Sequence, residues 1–260
     1  MHIGLTYQSC IYSDVPYTKA LVDRWFINQK RAYQLNLNSF VNYYGEYSAE
    51  KILDELFPTP DIDIFISHSH DDFEEAKFLA YHLSTKFGQK VFLDEYVWGS
   101  ANDLLEKINE NFYDNKTDTY DLEKSCLNAS SVYILLANAI SKVIHNCETF
   151  IFMESSNSIN VLTPGCTASP WIYFELQLIN DIITNENQLR HEQEIIKLAA
   201  EGMMQPIIAF PANYKSFIKF SILDLREMVA KELNAREDYS SDGLMQRLNQ
   251  YLNKKNKKHE

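Results

Sequence analysis

After the proline-rich break Pro58-Thr59-Pro60, this chain alternates short apolar runs with longer stretches that turn apolar every third or fourth residue. The runs cover 62–67, 90–94, 131–136 and 205–210, with a shorter fifth inside 219–225. Apolar segments this short, bounded by polar residues, fit strands buried on both faces. The stretches between them fit helices. In the first, Asp71 or Asp72 caps, and Glu74 and Glu75 occupy the opening turn. Its apolar face runs through Phe73, Ala76, Leu79, Ala80, Leu83 and Phe87, and Gly88 stands where a helix ends. A second uses Leu104, Leu105, Ile108 and Phe112, and a last one begins near Ser241 and buries Leu244, Leu248 and Leu252. Strands separated by helices need crossover connections, which build a parallel sheet covered on both faces. Ligands of such sheets collect outside the carboxyl ends of the strands. Here those ends are 67–72, 94–100 and the segment after Leu136, the loops richest in titratable side chains.

The first sixty residues have a different texture. Residues 17–40 carry Leu21, Trp25, Phe26, Ala32, Leu35 and Leu37 in helical rhythm, and 48–57 reads as a short helix capped by Ser48. This predicts a helical extension over 1–60, hinged to a main domain over 61–260. The net charge of −12 argues against nucleic-acid or anionic-membrane partners, because phosphate contacts need clustered Lys and Arg. The basic cluster at 254–258 reads as a solvated tail. Four cysteines lack C-x-x-C or metal-ligand spacing, and neither a signal peptide nor a membrane-length apolar run is evident. The expectation is a cytoplasmic protein with reduced thiols. Seven glycines form neither G-x-G-x-x-G nor a Walker motif, so no glycine-cradled phosphate site is expected.

One helical stretch carries an anomaly. Ser169 suits an N-cap and Pro170 the first helical position, after which Trp171, Phe174, Leu178, Ile179 and Ile182 mark one face. Glu175 falls inside that apolar stripe. A stripe turned to the core should not carry a charge unless a partner neutralises it or chemistry uses it. On this helix alone, a structural and a functional glutamate are equally good readings.

Four motifs stand in order: Asp63-Ile-Phe-Ile-Ser-His68, Val91-Phe-Leu-Asp94, Trp98-Gly99 and Ser169-Pro-Trp-Ile-Tyr-Phe-Glu175-Leu. Together they resemble a Toll/interleukin-1 receptor (TIR) domain over 61–252, with Trp98-Gly99 in the family's BB loop. The resemblance implies a flavodoxin-like α/β fold, a central parallel sheet with helices on both faces. The family divides into scaffolding adaptors and enzymes that cleave NAD+, and the enzymes' catalytic glutamate corresponds to Glu175. Ser67, His68, Ser69, His70 and Asp71 would then line the nucleotide cleft, with Asp94 orienting a loop and Trp171 joining the nucleotide-binding set. Trp98 is either a stacking platform or a loop anchor. No metal is implied, and no cofactor beyond NAD+ as substrate. Partners implied are further copies through TIR–TIR contacts and a separate effector that senses the nucleotide product, as in prokaryotic defence members such as the Thoeris anti-phage system. One departure from the family is an insertion over 137–168, in which Glu148-Thr-Phe-Ile-Phe-Met153 can form an extra strand or a lid.

Two alternatives stand beside this reading. A non-catalytic TIR interaction module needs only surface loops. A metal-dependent hydrolase can use His68, His70 and Asp72, since H-x-H-x-D after a strand suits zinc, although Phe73 replaces the final histidine of that motif. A serine hydrolase is disfavoured, because no G-x-S-x-G elbow is present.

Overall fold

The computed structural model describes residues 2–8, 16–32, 48–56, 61–94, 104–106, 108–109, 113–114, 119–120, 122–160, 162–187, 209–234 and 243–257. Strands are β1 (Ile3–Gln8), β2 (Ile64–Ser67), β3 (Val91–Leu93), β4 (Tyr113–Asp114), β5 (Thr119–Tyr120), β6 (Thr149–Glu154), β7 (Cys166–Thr167), β8 (Phe210–Pro211) and β9 (Ile218–Phe220). Helices are α1 (Pro16–Ala32), α2 (Ala49–Leu56), α3 (Phe73–Phe87), α4 (Leu122–Asn146), α5 (Pro170–Asn187), α6 (Ile222–Asn234) and α7 (Leu244–Asn256). The central sheet is parallel throughout, ordered β3-β2-β6-β1-β9 and flanked by helices, which makes the fold α/β and flavodoxin-like. β4 pairs with β5, and β7 with β8, as small antiparallel ladders.

The chain divides into two units. The first comprises Met1–Ile11, Ser67–Ala76 and Glu148–Glu260, and the second Tyr12–Ile66 and Lys77–Cys147. In the first unit β1 lies between β6 and β9, in register from Ile3↔Thr149 to Gln8↔Glu154 and from Leu5↔Ile218 to Tyr7↔Phe220. Leu5, Tyr7, Phe150, Ile151, Phe152 and Phe220 are buried, as expected of strands covered on both faces. α6 opens with a reciprocal cap: Ser221 N–H donates to Asp224 Oδ2 at 2.8 Å, and Asp224 N–H returns to Ser221 Oγ at 3.4 Å. Lys255 of α7 donates to Asp224 Oδ1 at 2.8 Å, fastening the last two helices together.

In the second unit β2 pairs with β3 from Ile64↔Val91 to Ile66↔Leu93. Asp63 supports that pair by accepting the Lys90 N–H at 2.8 Å. α3 buries Ala76, Leu79, Ala80, Leu83 and Phe87, and ends at Gly88, whose φ of 69° is left-handed. Lys77 is buried on α3 and donates to Asp23 of α1 at 2.5 Å, over the Phe26 ring. Ser48 caps α2 through its hydroxyl, which accepts the Lys51 N–H at 3.4 Å.

Three expectations need correction. Residues 1–60 are not a purely helical extension, because β1 fills a place inside the central sheet. α1 and α2 do match the two helices expected there, while 33–47 and the break at 57–60 lie outside the described residues. Residues 131–136 are not a strand but the middle of α4. Val132, Leu136, Ala139, Ile140 and Val143 are buried at helical spacing while Tyr133 and Ile134 are exposed, so the 3.6-residue period prevails over the local apolar run. By length and composition α4 is apolar enough to cross a membrane, and 33% of its most apolar stretch is buried. The third strand is instead β6, the strand that the sequence allows over 148–153, so 137–168 is not a single connection but holds the end of α4, a central strand and the approach to α5. Of the run at 205–210, Phe210 belongs to β8, and 205–208 lie outside the described residues.

Candidate functional site

α5 is set by its first turn. Ser169 Oγ accepts the Ile172 N–H at 3.3 Å, Ser169 N–H donates to Thr167 Oγ1 at 3.0 Å, and Pro170 follows at the first helical position. The buried side chains are Ile172, Glu175, Leu176 and Ile179, whereas Trp171, Phe174, Leu178 and Ile182 are half-buried. The buried stripe is thus rotated by one residue from the expected one. Glu175 lies at its centre and is 1% exposed. α5 belongs to the first unit, where it packs against β1 and against β7 and β8. Trp171 meets Phe174 edge-on, with ring centroids 6.3 Å apart.

The loop after β2 belongs to the same unit. Ser67 is fully buried, and its hydroxyl has no hydrogen-bond partner among the described residues. His68 is buried with its ring stacked on Phe73, Ser69 is half-buried, and His70 and Asp71 are exposed. A 3-10 turn over His70–Asp72 leads into α3, and Asp72 N–H donates to Ser69 O at 2.8 Å. The Asp72 side chain does not cap α3. It turns to the loop after β6, where Oδ2 accepts from Ser155 Oγ at 2.5 Å and Oδ1 from Asn157 Nδ2 at 2.7 Å. With Asp72 so engaged and His68 stacked, His68, His70 and Asp72 form no ligand set. Among the described residues no group of three His, Cys, Asp or Glu side chains could hold a metal.

β6 ends in a second polar group that the sequence reading missed. Glu154 accepts from Tyr214 OH at 2.9 Å and from Lys219 Nζ at 2.7 Å. Burial and the Glu154 hydrogen bond push the Tyr214 phenol up to about 12. The Thr6 hydroxyl of β1, in register with Phe152 and Lys219, is buried without a partner among the described residues. The one available clue was Glu154 itself, a carboxylate closing a run of apolar residues.

In parallel sheets ligands collect outside the carboxyl ends of the strands, which is where the loops after β2 and β6 lie. Those two loops, 67–72 and 155–158, share the first unit with Glu175. Asp94 is buried just after β3 and belongs to the second unit, and Trp98 lies outside the described residues. The chain matches no protein-family model, and no curated protein or solved structure shows significant similarity to it.

Proposed function

We propose that the protein is a TIR-type enzyme that cleaves NAD+ between nicotinamide and ribose, with Glu175 as its catalytic carboxylate. The observation that carries this reading is a carboxylate 1% exposed at the centre of a buried helix face, in the same unit as the loops that follow β2 and β6. Burying a carboxylate is costly, and sites that use one for chemistry are where such costs are borne.

In the proposed reaction the C1′–N1 electron pair leaves with nicotinamide and neutralises the pyridinium charge, so no acid need protonate the leaving group. Positive charge develops on the ribose, as in glycoside hydrolysis, and Glu175 stabilises it from a water-poor position. Water then bonds to C1′ and releases a proton, giving ADP-ribose; attack by another group of the same nucleotide gives a cyclised product. Ser67, whose buried hydroxyl has no partner among the described residues, and Ser69 face the nucleotide in this scheme. His70 and Asp71, both exposed, contribute at its rim. In a defence setting the product would act as a signal for a separate effector in the cytoplasm.

The test is incubation of concentrated protein with NAD+ and EDTA, followed by chromatography of nicotinamide and ADP-ribose species. Nicotinamide release in EDTA supports the reading, and the nucleotide peak separates hydrolysis from cyclisation. The scaffold alternative is favoured by the exposed Leu127 and Ile134 on α4, 67% and 62% accessible. It predicts no release at any protein concentration.

A further inference from the structure

We propose that Asp72 is a positioning residue that holds the loops after β2 and β6 at the separation a nucleotide needs; this rests on the NAD+-cleaving reading above. Its carboxylate spans the two loops with both oxygens, one on Ser155 Oγ at 2.5 Å and one on Asn157 Nδ2 at 2.7 Å. Hydrogen bonds to an ionised acceptor are the strong kind, and two from one carboxylate also fix orientation. Each end is anchored further. The Asp72 N–H holds Ser69 O at 2.8 Å, which ties the carboxylate to the segment that follows Ser67 and His68. On the other side Ser155 Oγ accepts the Asn157 and Ser158 N–H groups, both at 3.0 Å. Ser158 Oγ accepts the Ser155 N–H at 2.9 Å and donates to Met153 O at 2.8 Å, which ties the turn to β6.

These bonds also define what Ser155 is not. Its proton is committed to Asp72 and its oxygen accepts two amides, so the hydroxyl is a structural pivot and not a nucleophile. Asp72 and its partners lie entirely in the first unit, so the clamp fixes the spacing of two of its loops without supplying a reacting group.

The test compares Asp72→Ala, Asp72→Asn and wild type by steady-state NAD+ cleavage and by hydrogen exchange of the free proteins. Asp72→Ala should raise KM about tenfold with kcat nearly unchanged, the signature of lost uniform binding. Asp72→Asn should restore KM to within about threefold of wild type, because the Asn157 amide can flip and accept from the new amide while the new carbonyl keeps Ser155. The Asn157 and Ser158 amides should exchange faster in Asp72→Ala by about tenfold, and this readout needs no substrate. Gly4→Ala, in the same unit and outside the site, serves as the control for lost stability and should leave KM unchanged. Unchanged exchange at 157–158 would show that the clamp is not there. Faster exchange with unchanged KM, or an equal KM rise in Gly4→Ala, would overturn the positioning role. A folded wild type that cleaves no NAD+ would overturn the enzymatic reading and the nucleotide role with it, while exchange would still decide whether the clamp exists.

Discussion

A methyl group added at Gly4 would meet the Phe217 ring at 2.5 Å, so glycine stands in β1 because an aromatic ring lies against its backbone. Gly4→Ala should destabilise by about 1–3 kcal/mol, as overpacking does, and pairing it with Phe217→Leu should recover part of that loss in urea titrations. Lys77 sets a different constraint, being a buried ammonium held by a half-exposed Asp23. Asp23→Ala removes one carboxylate from that charge and should cost about 2 kcal/mol, less than for a fully buried pair, while Lys77→Met should cost less still. Denaturant midpoints of the two variants check the order. At this scale Glu175 was legible in the sequence, because helical periodicity alone puts a carboxylate among apolar neighbours. Asp72 was not. Its partners Ser155 and Asn157 are 83 and 85 residues away, and no local pattern distinguishes a helix cap from a long-range clamp.

At the scale of elements, the first turn of α5 was readable because its signals are local: a capping hydroxyl followed by proline. Ser169→Ala should cost about 1 kcal/mol and loosen α5 where it carries Glu175, a change that thermal unfolding can measure. The central strands were harder. β6 reads as a continuous apolar run, but so does the middle of α4, and only helix length and packing separate the two. β1 was passed over because Gly4 and the polar Thr6 and Gln8 dilute a short strand that neighbours on both sides complete. The α6–α7 pair carries a pH dependence. Burial pushes the Asp224 carboxyl up, but hydrogen bonds from Lys255 and Ser221 outweigh it and hold the group below its ordinary range. The same contact pushes Lys255 up to about 12. Asp224's contribution is therefore present above the unfolded carboxylate pKa and lost as pH falls through the lower folded value. Lys255's is present below the unfolded lysine pKa and lost as pH rises through about 12. Lys255→Met should lower stability near neutrality by roughly 0.5–1 kcal/mol, given its solvent exposure, and the gap from wild type should close in acid when Tm is followed against pH.

For the whole molecule, alternation of strands and helices was sufficient to predict an α/β parallel sheet, but not which segments supply its strands. β3-β2-β6 keeps the opening order of a flavodoxin-like sheet, and the next place is filled by β1 from the start of the chain, followed by β9. Residues near Ile3 therefore complete a sheet whose neighbouring strands begin at Thr149 and Ile218, an arrangement that reading in chain order hides. Removing residues 1–8 should leave β6 and β9 without their shared partner and abolish cooperative unfolding, which circular dichroism during heating can show. The functional account rests on the buried carboxylate of α5, and it is tested most directly by nicotinamide release from NAD+ by wild type and Glu175→Gln, both shown to be folded. The account predicts release by wild type and a loss of about a thousandfold in the variant, the scale expected when a transition-state charge loses its stabilising group. A Glu175→Gln protein that keeps most of the wild-type rate would contradict it.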